Sequence, residues 1–427
     1  MQFIENYLNR AKELDLYPER YLIHRKKGIQ YNVTEESSSK TLNVLNFSSN
    51  DILGLAQNPI VKQETIRAIQ QFGSSNSSAN FCCGRIDLHQ ELEQEISQFK
   101  QIPHTHLFLN AWMALQGFTD IFCHLSMKMP GYNPELKTLI MVDEMNHSCL
   151  TAAATSAKTG TSGTLFSRNS NPVVVKPYRH CNVESLASRI KRFIKPGWRI
   201  LVMTDAVFSM DGDIAPLPDI IKVLSNYEGS VLLTDEAHSS GALGSYGGGI
   251  YNHFNIDPRD LLSQGIHPVL LTTFSKFGGS VGASISSFSQ GLTDLLYAAR
   301  TSSGTASLAA PLTAAALTSI RHLRQTPNLV KQLHENTDYL RSQLQHYGFQ
   351  VPGQTHIIPV EIEQFPKEFA HVLMHNYGIW VTPVWYISNP KLRIMANATY
   401  TCAQMDTLVK AMVAVRDELS EATTIAC

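Results

Sequence analysis

The sequence predicts an α/β protein with a mainly parallel sheet in a large domain, followed by a smaller α+β domain towards the C-terminal end. Three observations predict it. Short, continuously apolar runs recur between positions 106 and 271, helical patterns lie between them, and polar side chains stand just past the run ends. Unbroken apolar runs of this length suit strands buried on both faces, and their alternation with helices implies crossover connections.

The chain has 427 residues, which suits more than one packed subdomain. Hydrophobic residues make up 43% and charged residues 17%, and the formal net charge is -1. That balance gives no electrostatic support for nucleic-acid binding. The seven cysteines (Cys82, Cys83, Cys123, Cys149, Cys181, Cys402, Cys427) are odd in number and contain no CxxC pair. Free thiols in a reducing compartment are expected, with no disulfide framework and no metal site. The N-terminal stretch mixes both charge signs without an apolar signal core, and no apolar run reaches the length of a bilayer span. A cytoplasmic protein with no membrane span is the expectation.

Positions 1–45 read as an N-terminal helix or arm. Phe3, Ile4, Tyr7, Leu8, Ala11 and Leu14 stand at helical spacing, and a leading helix is expected over roughly the first 25 residues. Positions 46–290 form the expected large domain, with strands at 106–109, 138–142, 200–203, 231–233 and 269–271 and helices at 186–194 and 217–224. From 291 to 427 the pattern changes. Helical stretches at 308–323 and 329–347 lead to short strands at 357–362, 379–384 and 392–396, then a last helix at 405–419.

In open parallel sheets, ligands sit beyond the carboxyl ends of the strands. The polar groups there are Asn110, Asp143 with His147, Asp205 with Ser209, Asp235 with His238, and Thr273 with Lys276. Asp235-Glu236-Ala237-His238 spells a helicase-type box, but the phosphate loop that such a box requires is absent. A metal reading of Asp235 and His238 lacks a third convergent ligand, and an aspartate at a strand end also caps the following turn. Lys276 lies inside Thr273-Phe274-Ser275-Lys276-Phe277-Gly278-Gly279-Ser280, where glycines let the backbone approach a ligand closely.

These motifs together resemble the α-oxoamine synthase family of fold-type I pyridoxal-phosphate (PLP) enzymes. The resemblance runs from about Asn46 to the last helix. It rests on Asn46-Phe47-Ser48-Ser49-Asn50-Asp51-Ile52-Leu53-Gly54-Leu55, on Asp143 to His147, on Val207-Phe208-Ser209-Met210-Asp211-Gly212-Asp213, on Asp235-Glu236-Ala237-His238-Ser239 with Gly241 and Gly244, and on Lys276. The resemblance implies a fold-type I PLP-dependent transferase and assigns roles. Lys276 is the Schiff-base lysine. Asp235 pairs with the pyridinium nitrogen, His238 bonds the phenolic oxygen with Ser209 nearby, and His147 stacks on the ring. The N–H groups of Ala111 and Trp112, with the Thr273 hydroxyl, hold the phosphate, and Thr305 reaches the phosphate of the partner subunit. Arg393 binds the substrate carboxylate, assisted by Asn50.

The roles are chemically coherent. The lysine amine must be neutral to react, so its site must lower its pKa. A carboxylate facing the ring nitrogen keeps that nitrogen protonated and the ring electron-withdrawing. A forked guanidinium matches a carboxylate. The chain departs from the family at Asn110-Ala111-Trp112, where the family has Ser-Gly-aromatic, and at Ser303-Gly304-Thr305. It departs again from Gly73 to Arg85, where Ser and Asn replace glycines, and it carries extra length around 164–171.

The implied activity is a decarboxylating condensation of a small amino acid with an acyl thioester, either acyl-CoA or acyl carrier protein, in a homodimer with interfacial sites. A PLP-dependent aminotransferase or C–C lyase on the same fold is one alternative. A non-catalytic partner subunit is another, disfavoured by Lys276, Asp235, His147 and His238 occurring together.

Overall fold

In the computed structural model, the described residues are 1–14, 19–124, 137–159, 172–362, 365–385 and 389–426. The extra length expected around 164–171 lies outside them.

A seven-stranded sheet dominates. Its spatial order is His104–Phe108, Ala283–Ser287, Ile266–Thr273, Ser230–Asp235, Arg199–Asp205, Thr138–Asp143, Val173–Tyr178. The last five of these run parallel, and Ala283–Ser287 is antiparallel to both its neighbours. Strands Thr138–Asp143 and Ser230–Asp235 are buried at every position. Their side chains alternate between two cores. Ile140, Val142, Leu201, Met203 and Leu233 pack with helices Ala111–His124 and Ser148–Thr159, while Leu139, Met141, Ile200, Val202 and Leu232 pack with Val183–Phe193 and Leu217–Leu224. Two covered faces explain the unbroken apolar runs.

Strand Ala283–Ser287 escapes sequence reading because its ASISS text carries one large apolar side chain. Small hydroxyl residues suit a strand squeezed between two others; the Ser286 hydroxyl meets that of Thr105 at 2.8 Å.

Outside this sheet, Ile357–Glu361, Lys391–Met395 and Thr382–Val384 form a three-stranded antiparallel sheet. The strand expected over 379–384 is two pieces. Ile379–Trp380 instead pairs in parallel with Thr41–Asn46 and forms the edge of a sheet that continues through Gln30–Glu35 and Tyr21–Lys27. The leading helix is also shorter than expected. It spans Gln2–Glu13, and Tyr21–Lys27 is a strand.

The turn after the middle strand is anchored by a buried ion pair. Lys100 Nζ lies 3.4 Å from Glu236 Oε2, with both side chains fully enclosed. The same amine donates to Ser240 Oγ at 2.6 Å and to the Gly248 carbonyl at 2.9 Å, and Glu236 accepts the Ile250 N–H at 3.2 Å. Glu236 is therefore a structural anion, which removes the helicase reading of its motif. Leaving one buried charge unpaired costs about 3–5 kcal/mol. Lys100→Met is expected to lower unfolding free energy by that amount in urea titration. A loss below about 1 kcal/mol, the value of an exposed pair, would contradict the anchoring role.

Candidate functional site

Four parallel strands end at one cleft. It holds about 290 Å3 and is lined by Asn110, Ala111, Trp112, His147, Cys149, Asp205, Asp235, Ala237, His238, Thr273, Ser275, Lys276, Val281 and Gly282. Seven of the sequence-predicted residues thus meet in one place: Lys276, His147, Asp235, His238, Ala111, Trp112 and Thr273.

Lys276 sits three residues past strand Ile266–Thr273 in a turn pinned by tight packing. Gly279 has φ +58°, and a Cβ there would lie 2.5 Å from the Ala56 nitrogen. Gly241 ties the Asp235 turn to this one, because a Cβ on it would meet Phe277 Cβ at 2.5 Å. Lys276 Nζ lies 2.9 Å from His238 Nε2. Burial of the amine pulls its pKa below the ordinary lysine value; the Asp235 and Asp205 carboxylates oppose that pull, and Arg393 adds to it. Burial likewise drives His238 well below the usual histidine value, reinforced by the charges of Lys276 and Arg393. A neutral imidazole beside a depressed amine can share one hydrogen bond without two positive charges in contact.

Asp235 occupies the end of the middle strand. Its Oδ1 accepts the Ala237 N–H at 2.9 Å, and its Oδ2 has Cys149 Sγ at 4.0 Å. Burial raises the Asp235 carboxyl, against the charge of Lys276. Asp205 at the end of the next strand is raised well above the usual range by burial and then by Asp235. Two enclosed carboxyls side by side resist full ionisation, so this floor of the cleft favours a cationic N–H arriving opposite Asp235.

His147 stands opposite, exposed to the cleft. Its backbone N–H donates to Asp205 Oδ2 at 2.6 Å, and its Nδ1 lies 2.8 Å from Cys149 Sγ. Asn146 supports the turn: its amide donates to the Met203 carbonyl at 2.8 Å, and its Oδ1 accepts the Asp205 N–H at 2.9 Å. At the start of helix Ala111–His124, Asn110 Oδ1 caps the Met113 N–H at 2.9 Å. The first N–H groups of a helix have no acceptor within it, so those of Ala111 and Trp112 are available to an anion at the cleft. Thr273 Oγ1 lies 3.0 Å from Ser275 Oγ and donates to the Gly282 carbonyl at 3.1 Å.

Three further predicted residues form a second group beside the cleft. Arg393 Nε donates to the Ser209 carbonyl at 2.5 Å, and its Nη2 lies 3.4 Å from Asn50 Oδ1. Arg393 lies close enough for its charge to act on both Lys276 and His238. Neighbouring Lys391 pairs with Asp211, so strand Lys391–Met395 grips the 206–214 turn twice. Thr305 is half-buried and is not among the cleft-lining residues.

Sequence reasoning gave no role to Asp205, Cys149, Asn146, Ser275, His356 or His180. Asp205 stood at a strand end, which was its only signal. His356 is buried, its ring 6.3 Å from that of His238, and burial then Arg393 push it down to about 3. His180 binds Asp143 Oδ1 at 3.0 Å and Asp213 Oδ2 at 3.2 Å, and its ring meets Phe208 edge-on at 4.4 Å. It thereby fastens the 206–214 turn to the sheet. The polar loop from Gly73 to Arg85 is likewise fastened. Asn76 Nδ2 donates to Ser307 Oγ at 2.9 Å and the Leu308 carbonyl at 3.0 Å, next to the segment holding Thr305.

A family model described as aminotransferase class I and II matches residues 43–412. The chain is 31% identical over 371 residues to an 8-amino-7-oxononanoate synthase of Petrotoga mobilis, covering 85% of this chain and 86% of that one. It is 28% identical over 425 residues to 8-amino-7-oxononanoate synthase 1 of Bacillus velezensis, covering 98% of each. Among solved structures, a serine palmitoyltransferase from S. paucimobilis with bound PLP and myriocin aligns with a TM-score of 0.80 at 24% identity, over 98% of both chains. An 8-amino-7-oxononanoate synthase from Francisella tularensis aligns with a TM-score of 0.68 at 19% identity, over 89% of this chain and 99% of that one. At these identities the structural likeness speaks for the fold.

Burial pulls His180 down, but its hydrogen bonds to Asp143 and Asp213 outweigh that and push it up to about 12. A folded-state pKa above the unfolded value of about 6.5 gives stability that is full below pH ~6.5 and shrinks as pH rises towards the folded value. Removing this cation with His180→Gln should therefore lower the urea midpoint more near pH 6 than near pH 9. An equal loss at both would show that the ring is not held charged.

Proposed function

The chain belongs to the aminotransferase class I and II family, and from that premise we infer that it is a PLP-dependent acyltransferase that condenses a small amino acid with an acyl thioester, releasing CO2 and the thiol to leave an α-aminoketone. The relatives named 8-amino-7-oxononanoate synthase support this class of reaction. The observation that carries the reading is the convergence of the Lys276 amine, the buried Asp235 carboxyl and the exposed His147 ring on one cleft.

The residues fit PLP. Asp235 lines the cleft, and among the described residues its Oδ2 has only the Cys149 thiol, at 4.0 Å, as a hydrogen-bond partner, which suits a pyridinium N–H. The start of helix Ala111–His124 with the Thr273 hydroxyl suits its phosphate, and the Lys276 amine suits its aldehyde. When bound, PLP supplies an electron-withdrawing ring attached to the substrate amine, which weakens the bonds at the α-carbon.

The protein residues supply the rest. Arg393, with Asn50 beside it, takes the amino-acid carboxylate and orients the α-carbon. Lys276, whose enclosure lowers its pKa, would remove the α-proton and later return one. His147 would cover the ring, and Asp235 would accept from its pyridinium N–H. The apolar side chains of Val281 and Trp112 are half-exposed at the cleft, 48% and 49%, and would shield the α-carbon from water once the acyl chain is in place.

The same two exposed side chains, with the exposed Phe3 and Tyr7 on helix Gln2–Glu13, support a homodimer that covers the cleft mouth. Sedimentation of the PLP-loaded protein at twice the chain mass is the expected outcome, and a monomer would contradict it.

Lys276→Ala is expected to abolish the near-visible absorption of lysine-linked PLP and to lower turnover by at least the roughly 10^2–10^4-fold supplied by a positioned proton carrier. Arg393→Ala should keep that absorption while raising KM for the amino acid by about 30-fold or more, the equivalent of ~2 kcal/mol for an unpaired carboxylate. Retention of the band in Lys276→Ala would refute the assignment.

A further inference from the structure

Away from the cleft, helix Pro366–Tyr377 carries His371 and His375 one turn apart. Side chains four positions apart share a helix face, and here the two imidazoles stack with centroids 4.1 Å apart and planes at 29°. Facing them is Glu35, the last residue of strand Gln30–Glu35. His375 Nε2 lies 3.3 Å from Glu35 Oε1, with side-chain exposures of only 9% and 7%. One ligand atom from each of Glu35, His371 and His375 falls within 4.8 Å of the others.

From this geometry we propose a second site, in which Glu35, His371 and His375 bind one divalent cation of the zinc type and so clamp the N-terminal sheet to helix Pro366–Tyr377. Two imidazoles and a carboxylate form a borderline donor set with room for a water ligand, which suits zinc, cobalt or nickel rather than calcium or magnesium. Tetrahedral Zn–N bonds of about 2.0–2.1 Å put ligand atoms roughly 3.4 Å apart. The Glu35–His375 pair already has that spacing. The exposed His371 is the one that closes, by a side-chain rotation.

The carboxylate is preset, because the Ser38 hydroxyl bonds Glu35 Oε2. Partners of this kind orient a ligand and raise metal affinity. Lys40 Nζ lies 3.1 Å from His375 Nδ1. Metal at Nε2 needs a proton on Nδ1, so Lys40 must swing away. Its exposed position makes that cheap. Neither histidine nor Glu35 lines the cleft, so the site acts on the fold and not on the reaction.

The test is cobalt(II) titration of the PLP-loaded chain at neutral pH, followed by visible ligand-field absorption against the metal-free holoenzyme. A Cys82→Ser/Cys83→Ser background removes the adjacent exposed thiols. One cobalt per chain is expected, with tetrahedral ligand-field bands, no sulfur-to-metal band, and a raised unfolding midpoint. His371→Ala changes an exposed side chain and should leave circular dichroism intact. It should weaken binding by more than the roughly 10–100-fold that losing even an outer partner costs, and Glu35→Gln should do the same. No saturable binding, binding that survives His371→Ala, or a sulfur-to-metal band would each overturn the proposal. None of these outcomes bears on the PLP reading, which Lys276→Ala tests separately.

Discussion

The competition between burial and charge at the carboxyl end of strand Ser230–Asp235 governs the cleft. Asp205 and Asp235 are enclosed side by side, and the Lys276 amine is enclosed above them. Burial penalises every one of these charges. The carboxyls move up and the amine moves down, although each partly restrains the other. The charge of Arg393 tips the balance further against a charged lysine. The outcome is an amine shifted towards its neutral, reactive form next to a carboxyl placed to accept a cationic N–H, the pairing that PLP chemistry asks of a protein.

The fold delivers this arrangement from several distant parts of the chain. Five neighbouring strands run parallel, so Asp205, Asp235 and the turn bearing Lys276 emerge at the same edge. The pair of Lys100 with Glu236 holds one turn, and His180 between Asp143 and Asp213 holds another. The 206–214 turn then presents the Ser209 carbonyl and Asp211 to Arg393 and Lys391 on a different sheet. One turn thereby joins the strand carrying Arg393 to the sheet carrying Asp205, and its Gly212 has φ +72° and room for no Cβ, with the Ile357 carbonyl 2.6 Å from that position.

Much of this was legible in the sequence, for identifiable reasons. Strands with both faces covered announce themselves as apolar runs, and a parallel sheet puts its polar residues at their ends. Lys276, Asp235, His238 and His147 could be found that way, and the family resemblance supplied roles. What escaped had no local signal. Strand Ala283–Ser287 is made of small residues. Lys100 reads as a surface lysine until its partner 136 positions away is known. Cys149 and His356 matter only because packing brings them to His147 and His238. The leading helix was overextended because apolar positions at helical spacing do not show where strand Tyr21–Lys27 takes over.

The central claim, that the enclosed Lys276 amine is neutral under working conditions, is most directly tested by the pH dependence of PLP uptake. The rate at which the PLP-free protein combines with PLP, followed by absorbance, reports the fraction of neutral amine. The account predicts a rate that levels off well below the ordinary lysine value of about 10.4. A rate that keeps climbing tenfold per pH unit up to that value would contradict it.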